Sequence, residues 1–255
     1  SASEGFRAGN DTAHSTAPLV CTAPGLTRED IEHLKADTVW SYELGTKVQL
    51  SNPDILISAD AFHLDWHNPQ QELGLPCGSY FQVNGDKATI NGGEIDISGH
   101  LTSALTVRLG AGYEKTAMTQ PGVLFYGGVQ PGSRLAGVPA FNATVGGVYT
   151  REITDNVEGF VSADYSYTGN AVSTIVGGGG LQTIRPGYSL VNLRFGADMG
   201  KSELSLNIHN LTNEKPNLGD IGYVGYGTYS NSGVIIPSVA TLPTTTVTVQ
   251  FRRKF

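Results

Sequence analysis

A period of two, sustained over long stretches, constrains this 255-residue chain more than any other feature. In TVTVQF (246–251), apolar and polar residues alternate without a break, and six further stretches behave in the same way: WSYELGTKVQL (40–50), GEIDISGHL (93–101), ALTVRLGAGYE (104–114), VEGFVSADYSY (157–167), SLVNLRFGADM (189–199) and ELSLNIHN (203–210). Successive side chains of a strand point to opposite faces, so the pattern predicts strands with one apolar and one polar face. Their length matches the roughly 9–11 residues with which a tilted strand crosses a membrane.

In one stretch the alternation of apolar and polar residues shifts by one position. DILISADAFHLDW (54–66) places Ile57, Ala59 and Ala61 at alternate positions, and its apolar residues then shift by one, to Phe62 and Leu64 and on to Trp66. A β-bulge, which inserts one extra residue into a strand, would produce such a slip. The sequence therefore predicts a bulge near Ala61.

The connections between these stretches alternate strictly in length. Tight turns at 51–54, 102–103, 154–156 and 200–202 separate long loops at about 10–37, 69–87, 118–135, 169–184 and 212–242. A soluble sandwich has no reason to place every long loop at one end, whereas transmembrane β-barrels have short turns on one side and long loops on the other. The expected fold class is therefore all-β, a transmembrane antiparallel β-barrel.

Composition agrees with this fold and excludes others. Only 15% of the residues are charged and the net charge is −7, so no basic stripe is available to neutralise the phosphates of a nucleic acid. The longest apolar runs fall far short of the ~20 residues that a membrane-spanning helix needs. The one helical pattern is TREDIEHL (27–34), where Thr27 precedes Asp30 by three residues as in a capping box, and it predicts at most two turns.

Five aromatic residues lie on the apolar faces near the long-loop ends of their strands: Trp40, Tyr42, Tyr113, Tyr165 and Tyr167. Amphipathic rings at that depth are typical of the aromatic girdle at a membrane interface. Each of them alone would also fit an ordinary strand.

The two cysteines, Cys21 and Cys77, fall in the first and second long loops, which emerge at the same end of neighbouring hairpins. This placement favours a Cys21–Cys77 disulfide between extracellular loops in an oxidising compartment. Two unrelated buried thiols are the alternative reading.

Once the strands are placed, the sequence resembles the C-terminal part of a TonB-dependent outer-membrane receptor. The resemblance rests on the ordered set EGFRAGN (4–10), YELGTK (42–47), ADAFHLDWHNPQQ (59–71), NGDKATINGGEIDI (84–97), RPGYSLVNLRFG (185–196), NLTNE (210–214) and the closing Phe255. The family's usual PRT before the last strand appears here as Pro243-Thr244-Thr245, a departure at one position.

The resemblance implies a 22-stranded barrel with an N-terminal plug, energised by the TonB complex of the inner membrane. We expect residues 1–255 to be the C-terminal portion of such a barrel, with about ten strands and without the plug domain. No signal peptide is present, so Ser1 begins either a mature chain or a fragment. Because Ser1 starts partway through a strand pattern, we expect a fragment rather than a naturally truncated relative.

The implied function is energy-coupled uptake of a scarce nutrient, such as a ferric siderophore or another large ligand, across the bacterial outer membrane. A passive outer-membrane pore and a surface scaffold or adhesin barrel are the alternatives. The expected partners are outer-membrane lipid, the plug and remaining strands, the TonB complex and the barrel-assembly machinery, with no nucleic acid. We expect no enzyme activity, cofactor or metal site: His63 and His67 are four residues apart, which on a strand separates them by roughly 13 Å.

Three sets of site residues follow. The lumen-facing set, expected to contact the plug or line the water path, is Glu43, Lys47, Glu94, Asp96, Arg108, Glu114, Glu158, Asp164, Arg194 and Asp198. The loop aromatics expected to contact a ligand or partner are Trp66, Tyr80, Phe81, Phe125, Tyr126, Tyr223, Tyr226 and Tyr229. Packing of those loops on each other or on the plug is the competing explanation. Phe255, a terminal aromatic on an alternating strand, is expected to be the signal that the assembly machinery reads.

Overall fold

A computed structural model describes residues 1–11, 26–74, 80–173, 175–176, 184–221 and 238–253 of the chain. Among these residues, no helix has the length and apolar character needed to cross a membrane. The α-helix α1 (Arg28–Glu32) is short, as predicted. Its capping box is confirmed, because the Thr27 hydroxyl accepts from the Asp30 N–H and the Asp30 carboxylate accepts from the Thr27 N–H.

Ten strands form one antiparallel sheet in which neighbours in sequence are neighbours in space. In order across the sheet they are β1 (Ala2–Arg7), β2 (Asp37–Ser51), β3 (Asp54–His67), β4 (Lys87–His100), β5 (Leu105–Gln120), β6 (Phe141–Thr154), β7 (Val157–Thr168), β8 (Tyr188–Asp198), β9 (Ser202–His209) and β10 (Thr246–Arg253). Short turns at 52–53, 101–104, 155–156 and 199–201 alternate with long connections, so the predicted up-and-down meander is confirmed. Over the described residues the sheet is open, with β1 and β10 at its edges.

The long connections carry small elements of their own. Asn10–Asp11 pairs with His33–Leu34, Gln70–Gly74 with Tyr80–Asn84, Ala171–Val172 with Ile184–Arg185, and Gly219–Ile221 with Ser238–Ala240. Ile175–Val176 adds to Gln70–Gly74 in parallel, and a 3₁₀ helix covers Gly122–Gly127.

Register divides the sheet into two faces. We call the face bearing Leu44, Ile95 and Val145 the outer face, and the face bearing Glu43 and Arg108 the inner face. Large apolar side chains stand exposed along the outer face, which is the reverse of a soluble protein; they include Leu44, Val48, Leu50, Ile95, Leu109, Val145, Val161, Phe195, Leu204, Leu206, Val247, Val249 and Phe251. A face of this kind is typical of strands that face lipid.

The prediction of a bulge in β3 is wrong. The pairing of β3 with β2 and with β4 runs from Asp54 to His67 without a shift. Phe62 pairs with Glu43, and Trp66 with Ala88, so the apolar residues after Ala61 lie on the inner face. The sequence slip therefore records a change in which face is apolar, not an extra residue.

That change is explained by a hydrophobic core that lies beside the sheet, on its inner face. Described parts of the first three long connections (26–36, 68–74 with 80–86, and 121–138), here called the cap, pack together against the inner face at the long-loop ends of β4 and β5. The buried residues of this core are Leu26, Ile31, Leu73, Val83, Ala88, Met118, Leu124, Val129 and Leu135, with Trp66, Phe81, Ile90, Val123 and Val138 partly buried around them.

Candidate functional site

The inner face between β4 and β8 forms an open polar groove of about 350 Å³, lined by residues that include Asp96, Arg108, Thr144, Ser166 and Asn192. These side chains come from five adjacent strands, because inward-pointing positions stack in register across an antiparallel sheet. The groove offers hydrogen-bond donors and acceptors from several strands to whatever occupies the space beside the inner face.

An ion pair crosses the centre of this groove. Arg108 on β5 and Asp164 on β7 are two strands apart, yet Nη2 and Oδ1 are 3.2 Å apart. The intervening residue on β6 is Gly146, and a Cβ there would lie 2.5 Å from the Asp164 oxygen. Glycine at 146 therefore lets the pair span a strand. Both side chains are about half-exposed, so the pair itself contributes little stability.

A second inner-face contact lies nearer the short-turn end. The Arg194 guanidinium, which is paired with Glu203, sits 4.8 Å from the centre of the Phe160 ring, within cation–π range. The ring covers Gly196, where a Cβ would come within 2.3 Å of it. This cluster ties β7, β8 and β9 together where the loops are shortest.

Register places all ten predicted lumen residues on the inner face, namely Glu43, Lys47, Glu94, Asp96, Arg108, Glu114, Glu158, Asp164, Arg194 and Asp198. Their contact with a plug stays a prediction.

The predicted loop aromatics are placed differently from one another. Trp66 and Phe81 pack against the cap core, whereas Phe125 is 53% exposed. Tyr80 begins the short strand Tyr80–Asn84, and Tyr126 lies in the 3₁₀ helix. The other predicted positions, Tyr223, Tyr226, Tyr229, Cys21, Cys77 and Phe255, lie outside the described residues. The contact, disulfide and assembly roles all stay predictions.

Asp37, which the sequence reasoning missed, joins the cap to the sheet. It is 3% exposed, and its carboxylate accepts from the Arg7 guanidinium at 2.5 Å, from Trp66 Nε1 at 3.1 Å and, at 3.4 Å, from the Gln70 backbone N–H. Because these partners come from β1, β3 and the cap, one buried carboxylate fixes the relative position of three segments.

Two amides extend this polar cluster. The side-chain nitrogen of Gln70 donates to the carbonyls of Ala8 and Lys35, at 3.2 and 3.0 Å. The Asn84 side chain accepts from Lys35 N–H at 2.8 Å and donates to the Asn68 carbonyl, also at 2.8 Å. These bonds satisfy backbone groups of loops that have no sheet partner there.

Asn210 organises the start of the last long connection. It follows β9 directly, in a left-handed conformation (φ 51°), and is 6% exposed. Its side chain donates to the carbonyls of Glu214 and Pro243 and accepts from Glu214 N–H, all at 2.8–2.9 Å, and its own carbonyl accepts from the Thr245 hydroxyl. The NLTNE motif thus closes a turn that brings the PTT segment to the start of β10.

The five predicted girdle aromatics lie on the outer face. The rings of Trp40 and Tyr42 stack at 6.3 Å, and Tyr42 lies 6.2 Å from the ring of His63. Across the sheet, Tyr113 pairs in register with Phe141, whose ring is 6.1 Å from Tyr167, and Tyr165 pairs with Val145. Among the residues that the structure describes, no group of three or more His, Cys, Asp or Glu side chains is arranged to hold a metal ion.

An antiparallel meander with an apolar outer face, a charged inner face and long loops at one end is the wall of a membrane-spanning β-barrel. The family model described as TonB dependent receptor-like, beta-barrel, matches residues 1–211. The chain therefore belongs to the TonB-dependent receptor family, in its β-barrel part, and the family is one of outer-membrane proteins.

Solved structures show the same fold. The ferric yersiniabactin uptake receptor FyuA from Yersinia pestis is 16% identical with a TM-score of 0.74, over 100% of this chain and 34% of that one. The ferripyoverdine receptor of Pseudomonas aeruginosa is 17% identical (TM-score 0.64), and the ferric-catecholate import receptor Fiu from E. coli K12 is 21% identical (TM-score 0.59), each over 87% of this chain and 28% of theirs. The chain thus spans about a third of the length of these receptors. A search among curated proteins found no match.

Proposed function

We propose that this chain forms part of an outer-membrane receptor that imports a scarce nutrient, such as a ferric siderophore or another large ligand, with energy supplied through TonB. The observation that carries the proposal is the pair of faces on one sheet, apolar towards lipid and charged towards the interior, in a chain of the TonB-dependent receptor family. Three similar structures are named as receptors for ferric yersiniabactin, ferripyoverdine and ferric catecholate, which supports an iron chelate as the ligand class.

The proposed receptor also contains an N-terminal plug and further strands, with residues 1–255 as the C-terminal portion of its barrel. Two observations support these partners. The outer edges of β1 and β10 have no paired strand among the described residues, and unpaired backbone groups are not tolerated within lipid. The inner face carries an ion pair and an open groove that suit contact with a polar domain rather than with lipid.

Ligand recognition is proposed to use the extracellular loops. Of the predicted aromatic contacts, Phe125 has the best support, because it is exposed on the cap surface. Trp66 and Phe81 would act indirectly, by holding the cap in shape, since both pack against its core. A Cys21–Cys77 bridge would restrain the same loops, and recognition of Phe255 by the assembly machinery would precede folding.

The test is uptake by cells that express the complete product of this gene in place of their own siderophore receptors. Ferric siderophores of the catecholate, hydroxamate and phenolate classes are supplied under iron limitation, with and without a functional TonB. Uptake of one class that disappears without TonB supports the proposal. Uptake that persists without TonB, together with ion conductance of the purified protein, indicates a passive pore, and surface binding without any uptake indicates an adhesin.

A further inference from the structure

The inner face carries an aromatic ring in the row directly below the cap, where a row means the residues that pair in register across neighbouring strands. Phe62 on β3 faces inward, and its ring covers Gly92 on β4, where a Cβ would clash with the ring. Ile90, in the next row towards the long loops, already packs against the cap core. The Phe62 ring is partly exposed, and it is held in place by the backbone of the neighbouring strand.

Four carboxylates surround this ring. Glu43 and Glu114 lie in the same row, one on each side of Phe62, and Asp60 lies directly opposite Glu94 in the next row towards the short turns. Inward-facing side chains of adjacent rows on adjacent strands are neighbours, so the carboxylates border the ring. We call this set the Phe62 patch; it consists of Phe62, Glu43, Asp60, Glu94 and Glu114.

The patch lacks positive charge to balance its carboxylates. Among the residues that the structure describes, none of the four carboxylates takes part in an ion pair, and Lys47, one row further towards the short turns, forms none with them. Like charges directly opposite each other on neighbouring strands destabilise a sheet. The Asp60–Glu94 pair therefore has a free-energy cost that a bound cation would offset.

The arrangement suits an organic cation rather than a metal ion. In the described part of the chain, no three acidic or histidine side chains converge to hold a metal ion. An aromatic ring bordered by separate carboxylates instead offers a π face and counter-charges to an ammonium or guanidinium group. An open hollow of about 210 Å³, lined by residues that include Glu94, Gly112 and Thr144, leaves room for the group that carries the charge.

We propose that the Phe62 patch binds the ammonium or guanidinium group of the imported ligand after this ligand has passed the cap. The ligand class is then one with a positively charged side group, such as an iron chelate with a free primary amine, and not a chelate that is only anionic. The position of the patch favours an imported ligand, because the patch lies on the inner wall at the long-loop side, directly below the cap. The inference rests on the proposed function.

The first experiment measures cation binding by the complete protein in a neutral detergent. The reporter is the ¹⁹F resonance of 4-fluorophenylalanine placed at the position of Phe62. The probe is n-butylammonium, and n-butanol is the uncharged probe of similar size, both at constant ionic strength. Glu94→Gln with Glu114→Gln removes two charges from the patch, whereas the matched control, Glu152→Gln with Asp155→Asn, removes two charges at the short-turn end of the sheet.

We expect n-butylammonium, and not n-butanol, to shift this resonance in a saturable way. Its affinity should fall about tenfold in the first variant and stay unchanged in the control. The absence of a shift would overturn the proposal, since another group, such as a lysine of the plug, would then fill the patch. An equal response to n-butanol, or an equal affinity in the first variant, would overturn it as well.

The second experiment concerns the imported ligand. A ferric trihydroxamate with a free amine, its N-acetylated form and an anionic ferric catecholate are supplied to iron-limited cells that express the complete protein. We expect preferential uptake of the amine-bearing chelate, with a several-fold lower rate in Glu94→Gln with Glu114→Gln. Uptake of uncharged or anionic chelates alone, at a rate that this variant does not change, would overturn the assignment of the ligand. Binding of n-butylammonium without uptake of any chelate would instead overturn the proposed function and leave the patch as a cation site.

Discussion

The two ends of strands β3, β4 and β5 differ in which face carries the apolar side chains. Towards the short turns, Ile95 and Leu109 face outward and Asp96 and Arg108 face inward. Towards the long loops, Ala88 and Met118 are buried on the inner side while Lys87 points outward. One backbone thus passes from a region with apolar side chains outside and polar groups inside to a region with a dry core inside and polar side chains outside. The face that must be apolar is set by the surroundings at each depth, not by the strand as a whole.

The largest expected effect tests whether the cap is a true core. Leu73→Ala removes a fully buried side chain and should lower the free energy of cap opening by about 2–5 kcal/mol, because a cavity remains. Hydrogen exchange of residues 26–36, 80–86 and 121–138 measures this. The control is Leu44→Ala, the same change at an outward-facing residue that is 82% exposed to the lipid side, and it should leave cap exchange unaltered. Equal acceleration of exchange in cap and sheet would contradict the division into two regions.

A charge on the outer face tests the boundary between the regions. Ile95→Lys should lower the free energy of unfolding in lipid vesicles by about 2–4 kcal/mol, because the ammonium group is forced into hydrocarbon. Thr89→Lys is the matched control: the substituted residue lies on the same strand and face but in the row of the girdle residue Trp40, near the interface, so the cost should fall below about 1 kcal/mol. Urea titration of the complete protein in vesicles measures both. Similar losses would place the membrane boundary elsewhere.

The joint between the two regions depends on Asp37. Asp37→Ala leaves Trp66 Nε1 and the Gln70 N–H without their acceptor, which should cost about 1–3 kcal/mol. Asp37→Asn keeps an oxygen at the site and should cost less. Protease digestion under native conditions measures the effect, with faster cleavage expected in residues 26–36 and 68–74. Unchanged digestion of both variants would show that the cap holds its position without this carboxylate.

The smallest effect concerns pH. A hydrogen bond that the Asp11 carboxylate accepts from Nδ1 of His33, at 2.9 Å, raises the pKa of His33, helped by the nearby charges of Glu29 and Glu32. A raised pKa means that the contact is fully present below the ordinary histidine pKa, about 6.5, and is lost as the pH rises through the raised value.

Amide exchange of the Asn10–Asp11 and His33–Leu34 pair, corrected for intrinsic rates, should therefore show less protection at alkaline than at mildly acidic pH. The Asp11→Asn variant should lose this dependence. If that variant kept it, the protonation that matters would belong to another group.

The membrane-spanning part of the fold could be predicted from the sequence because two-residue periodicity and turn length are local properties. The inner-face positions of residues such as Arg108 and Asp164 follow from parity alone, but their contact depends on Gly146, on a third strand. The cap could not be predicted, because its core joins loop residues such as Leu26, Leu73 and Leu124 that share no period. Asp37 was missed for the same reason: Arg7, Trp66 and Gln70 lie about 30 residues away on either side.

The error in β3 has a clear physical cause. A strand that inserts an extra residue and a strand that changes surroundings both shift the apolar pattern by one position. The distinguishing signal was available in the sequence, since the shift at Phe62 falls beside the predicted girdle residues Trp40 and Tyr42 on the neighbouring strand.

The shared core of the cap also bears on how such a surface diversifies. Leu124 and Phe125 are neighbours in the 3₁₀ helix, yet the first is fully buried and the second is half-exposed. Replacing Leu124 should disturb the three loops that share this core, whereas replacing Phe125 changes a side chain on the exposed surface of the cap. The surface of the cap can therefore change one residue at a time while the core beneath it keeps its packing.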